Sequence, residues 1–154
     1  MKYRPLVFIS LFALFGCNRN GNLSSQDSAT VKKNVEQTLS AMADSLHTRG
    51  LTGWLPFMHP SAEFYWEFHG KRSSYDSLAA YEEKESHRYQ SIVLAWDSIQ
   101  VEPITLDEAT VHAHFVEVIV DTAGQHTTFT GSVRGTAVKI SGQWKFQSGQ
   151  TQDD

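Results

Sequence analysis

An acidic residue inside an apolar run is the first candidate for chemistry in this sequence. Glu117 lies in the segment VHAHFVEVI, residues 111–119, which has the composition and alternation of a β-strand. The side of such a strand that carries Glu117 also carries apolar residues: Val111, Ala113, Phe115 and Ile119. If this side is buried, desolvation raises the pKa of the carboxyl group and suits Glu117 to act as a catalytic general base. The alternative is a solvated or paired carboxylate near the strand end, with no chemical role.

Two histidines on the same strand raise the question of a metal site. His112 and His114 share the side opposite Glu117, about 7 Å apart along the strand. Such a pair holds zinc when a third ligand converges on it, and His69 or His126 could supply one. No spacing in the sequence fixes that third ligand. We therefore expect solvated or interface histidines, with no metal and no other cofactor.

The amino-acid composition of the chain excludes several classes of protein function. The chain has 154 residues, a formal net charge of −4 and 40% apolar residues, which suits one domain with a packed core. Its single cysteine excludes an internal disulfide and a cysteine-based zinc cluster. The mildly acidic chain has no basic stripe, so nucleic acid is not an expected partner. The sequence also lacks a phosphate-binding P-loop and a nucleophile motif of the hydrolases.

The first 17 residues have the pattern of an export signal. Lys2 and Arg4 precede a ten-residue apolar stretch from Leu6 to Phe15, which is shorter than the roughly 20 residues of a membrane-spanning helix. The sequence LFGC at 14–17 resembles the lipobox of bacterial lipoproteins, in which cleavage precedes a cysteine that carries diacylglycerol. We therefore expect a signal peptide at 1–16 and lipidation of Cys17.

The polar segment after Cys17 completes the domain prediction. Residues 17–28 have the composition of a flexible tether, and one folded domain is expected over 29–151. The expected location is the bacterial cell envelope, on the periplasmic or outer-membrane side, with the leaflet unspecified. The lipid alone would attach the acidic chain to the membrane.

Periodicity predicts the order of the elements. Apolar residues at three- and four-residue steps predict a helix over 30–49, capped by Ser28 or Thr30. A short helical turn at 51–58, a strand at 63–69 and a helix from Ser73 or Ser74 to about 87 follow. The apolar side of the helix that begins at Ser73 or Ser74 is expected to hold Tyr75, Leu78, Ala79 and Tyr81. Four strands complete the chain, at 89–104, 109–120, 127–140 and 143–150, with a β-bulge near Gly135 in the third of them.

The chain resembles the NTF2-like superfamily, particularly its SnoaL-like and DUF4440-type bacterial members. The opening amphipathic helix, the strand entry DEATV at 107–111 and the closing SGQWKF at 141–146 carry the resemblance. It implies an α+β fold, a cone-shaped half-barrel in which a curved antiparallel sheet wraps around the N-terminal helix. The family's steroid isomerases place an aspartate on the first strand, where this chain has Trp66, so that activity is not expected.

The same resemblance implies a pocket at the wide end of the cone. The residues expected to line it are Phe64, Trp66, Trp96, Phe115 and Phe129, which would contact a small apolar or aromatic ligand. The outer face of the sheet carries Val116, Val118 and Val120, which predicts a homodimer through this face. We expect a non-catalytic module for ligand binding or dimerisation. The alternatives are an isomerase, dehydratase or cyclase with Glu117 as general base, and an interaction module whose cone is filled by its own side chains.

Overall fold

The first helix, α1 (Ser25–Arg49), provides the ridge around which the domain folds. In a computed structural model that describes residues 23–154, α1 buries one apolar stripe, formed by Val31, Val35, Leu39, Met42 and Leu46. These positions follow the helical period, as the sequence predicts. The predicted signal peptide and Cys17 lie outside the described residues.

The start of α1 corrects the predicted tether boundary. Ser24 caps the helix, since its hydroxyl oxygen accepts a hydrogen bond from the backbone N–H of Asp27 at 3.1 Å. The carboxylate of Asp27 lies in the first turn, where the helix dipole favours negative charge. Residues 25–28, which were assigned to the tether, therefore form the first turn of α1.

Short elements connect α1 to the sheet. Gly50, with φ +68°, ends α1 and leads into a 3-10 helix over Gly50–Phe57. Strands β1 (Tyr65–Phe68) and β2 (Lys71–Ser73) form a hairpin, of which the sequence pattern predicts only the first strand.

Helix α2 (Tyr75–Glu85) follows the hairpin and begins where the sequence predicts. Its cap is Ser74, whose side chain accepts a hydrogen bond from the N–H of Ser77. The apolar side of α2 differs from the prediction, since Tyr81 is 58% exposed and the buried positions are Leu78 and Glu82. A 3-10 turn over Ser86–Arg88 links α2 to the next strand.

The long strands build most of the sheet. They are β3 (Tyr89–Pro103), β4 (Glu108–Asp121), β5 (His126–Ile140) and β6 (Gln143–Asp153). The spatial order of the six strands is β2-β1-β6-β5-β4-β3. Every neighbouring pair is antiparallel except β1 and β6, which run parallel, so the sheet is mixed rather than wholly antiparallel. A tight turn imposes antiparallel pairing only on strands that it joins, and no such turn joins β1 to β6.

The sheet has three register shifts: one at Gln90 at the start of β3, and two further along the strands that set which residues face α1. In β6, Phe146 pairs with Ala137 and Ser148 with Thr136, so Gln147 is the extra residue. The bulge predicted near Gly135 in β5 is therefore wrong. Strand β5 keeps Val133 and Ala137 buried without an extra residue of its own, and Val138 and Ile140, which suggested a change of face, are less buried than these two. Further along β3 the extra residue is Asp97, which shifts the alternation of the strand by one position. Even-numbered residues before it and odd-numbered residues after it therefore face the core.

The sheet therefore has two distinct faces. We call the face that packs against α1 the inner face and the opposite face the outer face. The inner face of β4 carries the buried residues Ala109, Val111, Ala113 and Phe115. This arrangement confirms the predicted α+β fold, with a curved sheet around a long N-terminal helix.

Gly149 in β6 allows the close approach of a core tryptophan. A Cβ atom at this position would lie 2.5 Å from Cζ3 and 2.7 Å from Cη2 of Trp66. We expect Gly149→Ala to lower the free energy of unfolding by about 1–3 kcal/mol, because the indole must shift within a packed core. Denaturant unfolding of the two proteins measures this loss. Gly124→Ala has open space around its Cβ and serves as a control for added bulk, although its φ of +79° adds local backbone strain. A Gly149→Ala variant as stable as the unsubstituted protein would contradict the expectation.

Candidate functional site

Glu117 lies on the inner face of β4, toward the end of the strand. Its neighbours across the sheet are Leu94 of β3 and Phe129 of β5. Burial and, to a smaller extent, the nearby charge of Asp153 together raise the pKa of Glu117 from 4.5 to about 7. At neutral pH this carboxyl group therefore exchanges readily between its protonated and ionised forms.

A second carboxyl group, on Glu82 of α2, is close enough to Glu117 for the charge of Glu117 to raise its pKa. Glu82 is 3% exposed, and its atom Oε2 has no hydrogen-bond partner among the described residues. The pKa of Glu82 is raised to about 8, chiefly by burial; a hydrogen bond from the side chain of Trp54 acts in the opposite direction, and the charges of Glu117 and Glu85 add to the rise. Glu82 is therefore mostly protonated at pH 7, while Glu117 is about half ionised.

Asp153 completes what we call the carboxyl cluster: Glu82, Glu117 and Asp153. Asp153 pairs with Gly131 across the β5–β6 ladder, at the end of the sheet where Glu117 also lies. Its Oδ2 atom is 3.4 Å from Nε2 of His69, and both side chains are substantially exposed. The cluster therefore extends from the buried Glu82 to a solvent-exposed rim formed by Asp153 and His69.

The five aromatic residues predicted to line a pocket divide into two groups. Phe64 and Trp66 are buried in the core, where Trp66 packs edge-on against Trp54 at 5.6 Å and Phe146 at 5.8 Å between ring centroids. They fill the interior, and the absence of a side chain at Gly149 lets β6 lie close to the indole of Trp66.

The remaining three aromatic residues lie nearer to the carboxyl cluster. Phe129 is 40% exposed and directly neighbours Glu117 across the β4–β5 ladder. Trp96 packs edge-on against Phe115, with ring centroids 6.5 Å apart. Its indole N–H donates a hydrogen bond to the carbonyl oxygen of Leu39 in α1 at 2.9 Å. This bond fixes the orientation of the indole on the inner face.

Comparison with solved structures identifies the architecture. A candidate scytalone dehydratase from Novosphingobium aromaticivorans superposes with a TM-score of 0.76 at 13% identity, over 85% of this chain and 89% of that one. An NTF2-like superfamily protein from Salmonella enterica gives 0.70 at 15% identity, over 81% and 92%. The domain has the NTF2-like fold.

A third structure extends the range of proteins that share this fold. The hexachlorocyclohexane dehydrochlorinase LinA-type3 from Novosphingobium barchaimii matches the NTF2-like domain with a TM-score of 0.68 at 10% identity, over 85% of this chain and 91% of that one. Identities this low establish the fold alone. The sequence matches no protein-family model and no curated protein.

Sequence reasoning placed Glu117 but missed Glu82 and Asp153. Glu82 follows Tyr75 by seven residues and Leu78 by four, so helical periodicity puts it on the buried side of α2. An acidic residue at such a position was the available signal. Asp153 was missed because β6 continues beyond the predicted end of its strand at residue 150.

The histidines of β4 lie on the outer face of the NTF2-like domain. The ring centroids of His112 and His114 are 5.1 Å apart. Across residues 23–154, no group of three or more histidine, cysteine, aspartate or glutamate side chains is arranged to hold a metal ion. In the same range, no helix combines the length and apolar character needed to cross a membrane.

Proposed function

We propose that this protein is a lipid-anchored protein of the bacterial cell envelope whose NTF2-like domain binds a small organic molecule at the carboxyl cluster. The observation that carries the binding proposal is the pair of carboxyl groups on Glu82, which is buried, and Glu117, which is half-buried, with apolar and aromatic residues beside them. A few convergent polar groups with shifted pKa values in apolar surroundings are typical of ligand sites. At neutral pH, protonated Glu82 donates a hydrogen bond and ionised Glu117 accepts one.

Binding at the cluster can be tested with small aromatic and apolar compounds. We expect saturation-transfer NMR on the full chain in nonionic detergent to detect binders that lose their signal in Glu117→Gln. Glu102→Gln is the matched control, because Glu102 is exposed in β3 and is not part of the cluster. Binders that keep their signal in Glu117→Gln would place the site elsewhere. A library without any binder would favour the interaction module whose cone is filled by its own side chains.

The anchoring proposal depends on Cys17, which lies outside the described residues. Diacylglycerol on this cysteine would attach the protein durably, since each buried methylene contributes about 0.8 kcal/mol. We expect labelled fatty acid to enter the full chain expressed in a bacterium and not its Cys17→Ser variant. The unsubstituted protein should sediment with membranes. Label that still enters Cys17→Ser would contradict lipidation at this residue.

The second candidate function is acid–base catalysis with Glu117 as general base. The shifted pKa values favour it, because a base and an acid that titrate near neutral pH are suited to proton transfer. The resulting activity would be that of an isomerase, dehydratase or cyclase, in which Glu117 removes a proton from carbon and Glu82 donates one to oxygen. Two of the similar structures carry the names of a dehydratase and a dehydrochlorinase.

The exchange of carbon-bound protons of a small ketone for deuterium tests this second candidate function. We expect the unsubstituted protein to speed the exchange of α-protons of small ketones in heavy water, and Glu117→Gln to lose at least 100-fold of that acceleration. Glu102→Gln should retain it. Binding without any exchange would favour the non-catalytic module.

Dimerisation through the outer face remains a proposal that the surface of the sheet supports. Val93 and Val116 are exposed there, and Val118 pairs directly with Val93. Native mass spectrometry of the full chain in detergent should detect a dimer that Val116→Lys converts to a monomer. A monomer in the unsubstituted protein would contradict the proposal.

A further inference from the structure

We infer that a groove on the outer face of the sheet binds an acidic saccharide, a sugar that carries a carboxylate group. The groove has a volume of about 540 Å³, which is within the range of ligand sites in proteins. It lies on the opposite face of the sheet from Glu117, so this site is separate from the carboxyl cluster. Three observations carry the inference: the shape of the groove, the polar groups that line it, and an arginine in its wall without an ion-pair partner.

The lengths of the outer-face side chains explain the shape of the groove. Strand register places a row of short side chains across β6, β5 and β4: Ser148, Thr136 and Thr110. Tyr65 of β1 lies at one end of this row. The next row along the strands consists of long side chains: Glu67, Gln150, Arg134, His112 and Gln100. All these residues line the groove, so the short row forms its floor and the long row forms a wall.

The floor offers hydroxyl groups to a ligand. Ser148, Thr136 and Thr110 are half-buried, and a hydroxyl group both donates and accepts hydrogen bonds, as the hydroxyl groups of a sugar do. The amide groups of Gln100 and Gln150 in the wall add further donors and acceptors. A polyol that displaces water from this surface can replace the lost hydrogen bonds, whereas an apolar ligand would leave these groups unsatisfied. The groove therefore favours a polyhydroxylated ligand.

The two arginines that line the groove differ in their partners. The Nε atom of Arg72 is 3.0 Å from Oε2 of Glu67, and its guanidinium carbon lies 4.3 Å from the centroid of the Tyr65 ring. Arg134 is exposed in β5, directly opposite His112 of β4, and it forms no ion pair within residues 23–154. The guanidinium group of Arg134 is therefore the one that can pair with a ligand.

The unpaired guanidinium group matches a carboxylate. Its planar arrangement of N–H donors can bond both oxygens of a carboxylate at once. Glu102 also lines the groove, but it lies in β3, two strands from Arg134 and about 10 Å away across the sheet, and does not pair with it. A sugar acid that places its carboxylate at Arg134 and its hydroxyl groups over the floor uses both features of the groove.

The groove is separate from the valines proposed for dimerisation. Val116 lies four residues beyond His112 in β4, about 13 Å along the strand. Val118, which pairs with Val93, lies further along β4 in the same direction. Saccharide binding and dimerisation through the valines therefore involve different parts of the outer face.

NMR titrations of the isotope-labelled full chain in nonionic detergent test the inference. The acids are D-glucuronate and digalacturonate. Each is compared with its methyl ester, which keeps the hydroxyl groups and loses the charge, and with cyclohexanecarboxylate, which keeps the charge and loses the hydroxyl groups. We expect at least one acid to bind at least fivefold more tightly than its ester and than cyclohexanecarboxylate, and to shift the Nε–H resonance of Arg134.

Variants assign this binding to the groove. Arg134 is exposed, so its replacement leaves the core intact. Arg134→Gln should weaken binding of the acid at least fivefold, to the level of the ester, because it removes the charge. Thr136→Val keeps the size of the side chain and removes a hydroxyl group of the floor, so it should weaken binding of the acid and of the ester at least threefold. Arg49→Gln is the matched control, since Arg49 is an exposed arginine at the end of α1, and it should change neither.

The opposite results would overturn the inference. They are an ester or cyclohexanecarboxylate that binds as tightly as the acid, and an acid whose binding survives Arg134→Gln or Thr136→Val. The absence of binding by both acids would overturn it as well. None of these results decides the function proposed for the carboxyl cluster, because that binding depends on Glu117 and is measured by the library screen described above.

Discussion

Replacing Glu82 with glutamine is expected to stabilise the protein by about 2–4 kcal/mol at pH 8 while changing its stability little at pH 5. The folded protein binds the proton of Glu82 more tightly than the unfolded chain does, because its pKa rises from 4.5 to about 8 on burial. The carboxyl group therefore ionises at a lower pH in the unfolded chain, and this ionisation lowers the free energy of the unfolded state relative to the folded state. The free energy of unfolding falls as the pH rises from about 4.5 toward 8. Above that range Glu82 is ionised in both states and causes no further change. Glutamine has no proton to lose, so the variant lacks this part of the decline.

Urea unfolding between pH 5 and pH 9 measures this effect. Glu83→Gln is the matched control, since Glu83 lies on the exposed side of the same helix and its replacement should leave the pH dependence unchanged. A smaller decline in the free energy of unfolding should remain in the Glu82→Gln variant as the pH rises, because the pKa of Glu117 is also raised, to about 7. An unchanged slope in Glu82→Gln would mean that Glu82 is not the buried, protonated carboxyl described above.

Replacing Trp66 with alanine is expected to lower the free energy of unfolding by about 3–5 kcal/mol. Trp66 is 2% exposed and contacts the rings of both Trp54 and Phe146. Its indole N–H donates a hydrogen bond to Oγ1 of Thr151 at 3.0 Å. Truncation therefore leaves a cavity where β1, β6 and the first 3-10 helix meet, and it removes the partner of a hydroxyl group.

Denaturant unfolding at pH 6 compares Trp66→Ala with two other variants. Trp66→Phe keeps an aromatic ring and should lose less stability. Tyr65→Ala removes a neighbouring ring on the opposite side of β1, where Arg72 covers it at 4.3 Å, and should cost about 1 kcal/mol or less. Equal losses in Trp66→Ala and Tyr65→Ala would show that the two sides of β1 do not differ in packing as described.

The local elements could be predicted because their causes lie within a few residues of one another. The stripe on α1 follows from apolar residues at helical spacing, and Ser74 caps α2 through the N–H of Ser77, three residues later. The turn at Ser141 and Gly142 takes positive φ angles of 49° and 83°, as a two-residue hairpin turn requires. Hydrogen bonds between residues so close in the chain require particular residue types at a fixed spacing, and that spacing can be read from the sequence.

The strand alternation in β4 also placed Glu117 on the same face as Ala113 and Phe115. Alternation alone did not indicate whether that face would be covered, or by what. Glu82 of α2 comes close enough to interact with both Glu117 and Trp54 of the first 3-10 helix, although the three residues are far apart in the chain. The catalytic and ligand-binding roles assigned to these residues stay predictions.

What the sequence determined by itself was therefore the type and order of the main elements, the buried stripe of α1 and the shared face of Glu117 in β4, because periodicity and capping depend on short-range geometry. Only the tertiary structure decided that Glu82 lies near Glu117, that β1 runs parallel to β6, and that β-bulges lie at Asp97 and Gln147. These features depend on how a curved sheet closes around a helix, and that closure joins residues far apart in the chain. No pattern within one segment encodes such a contact.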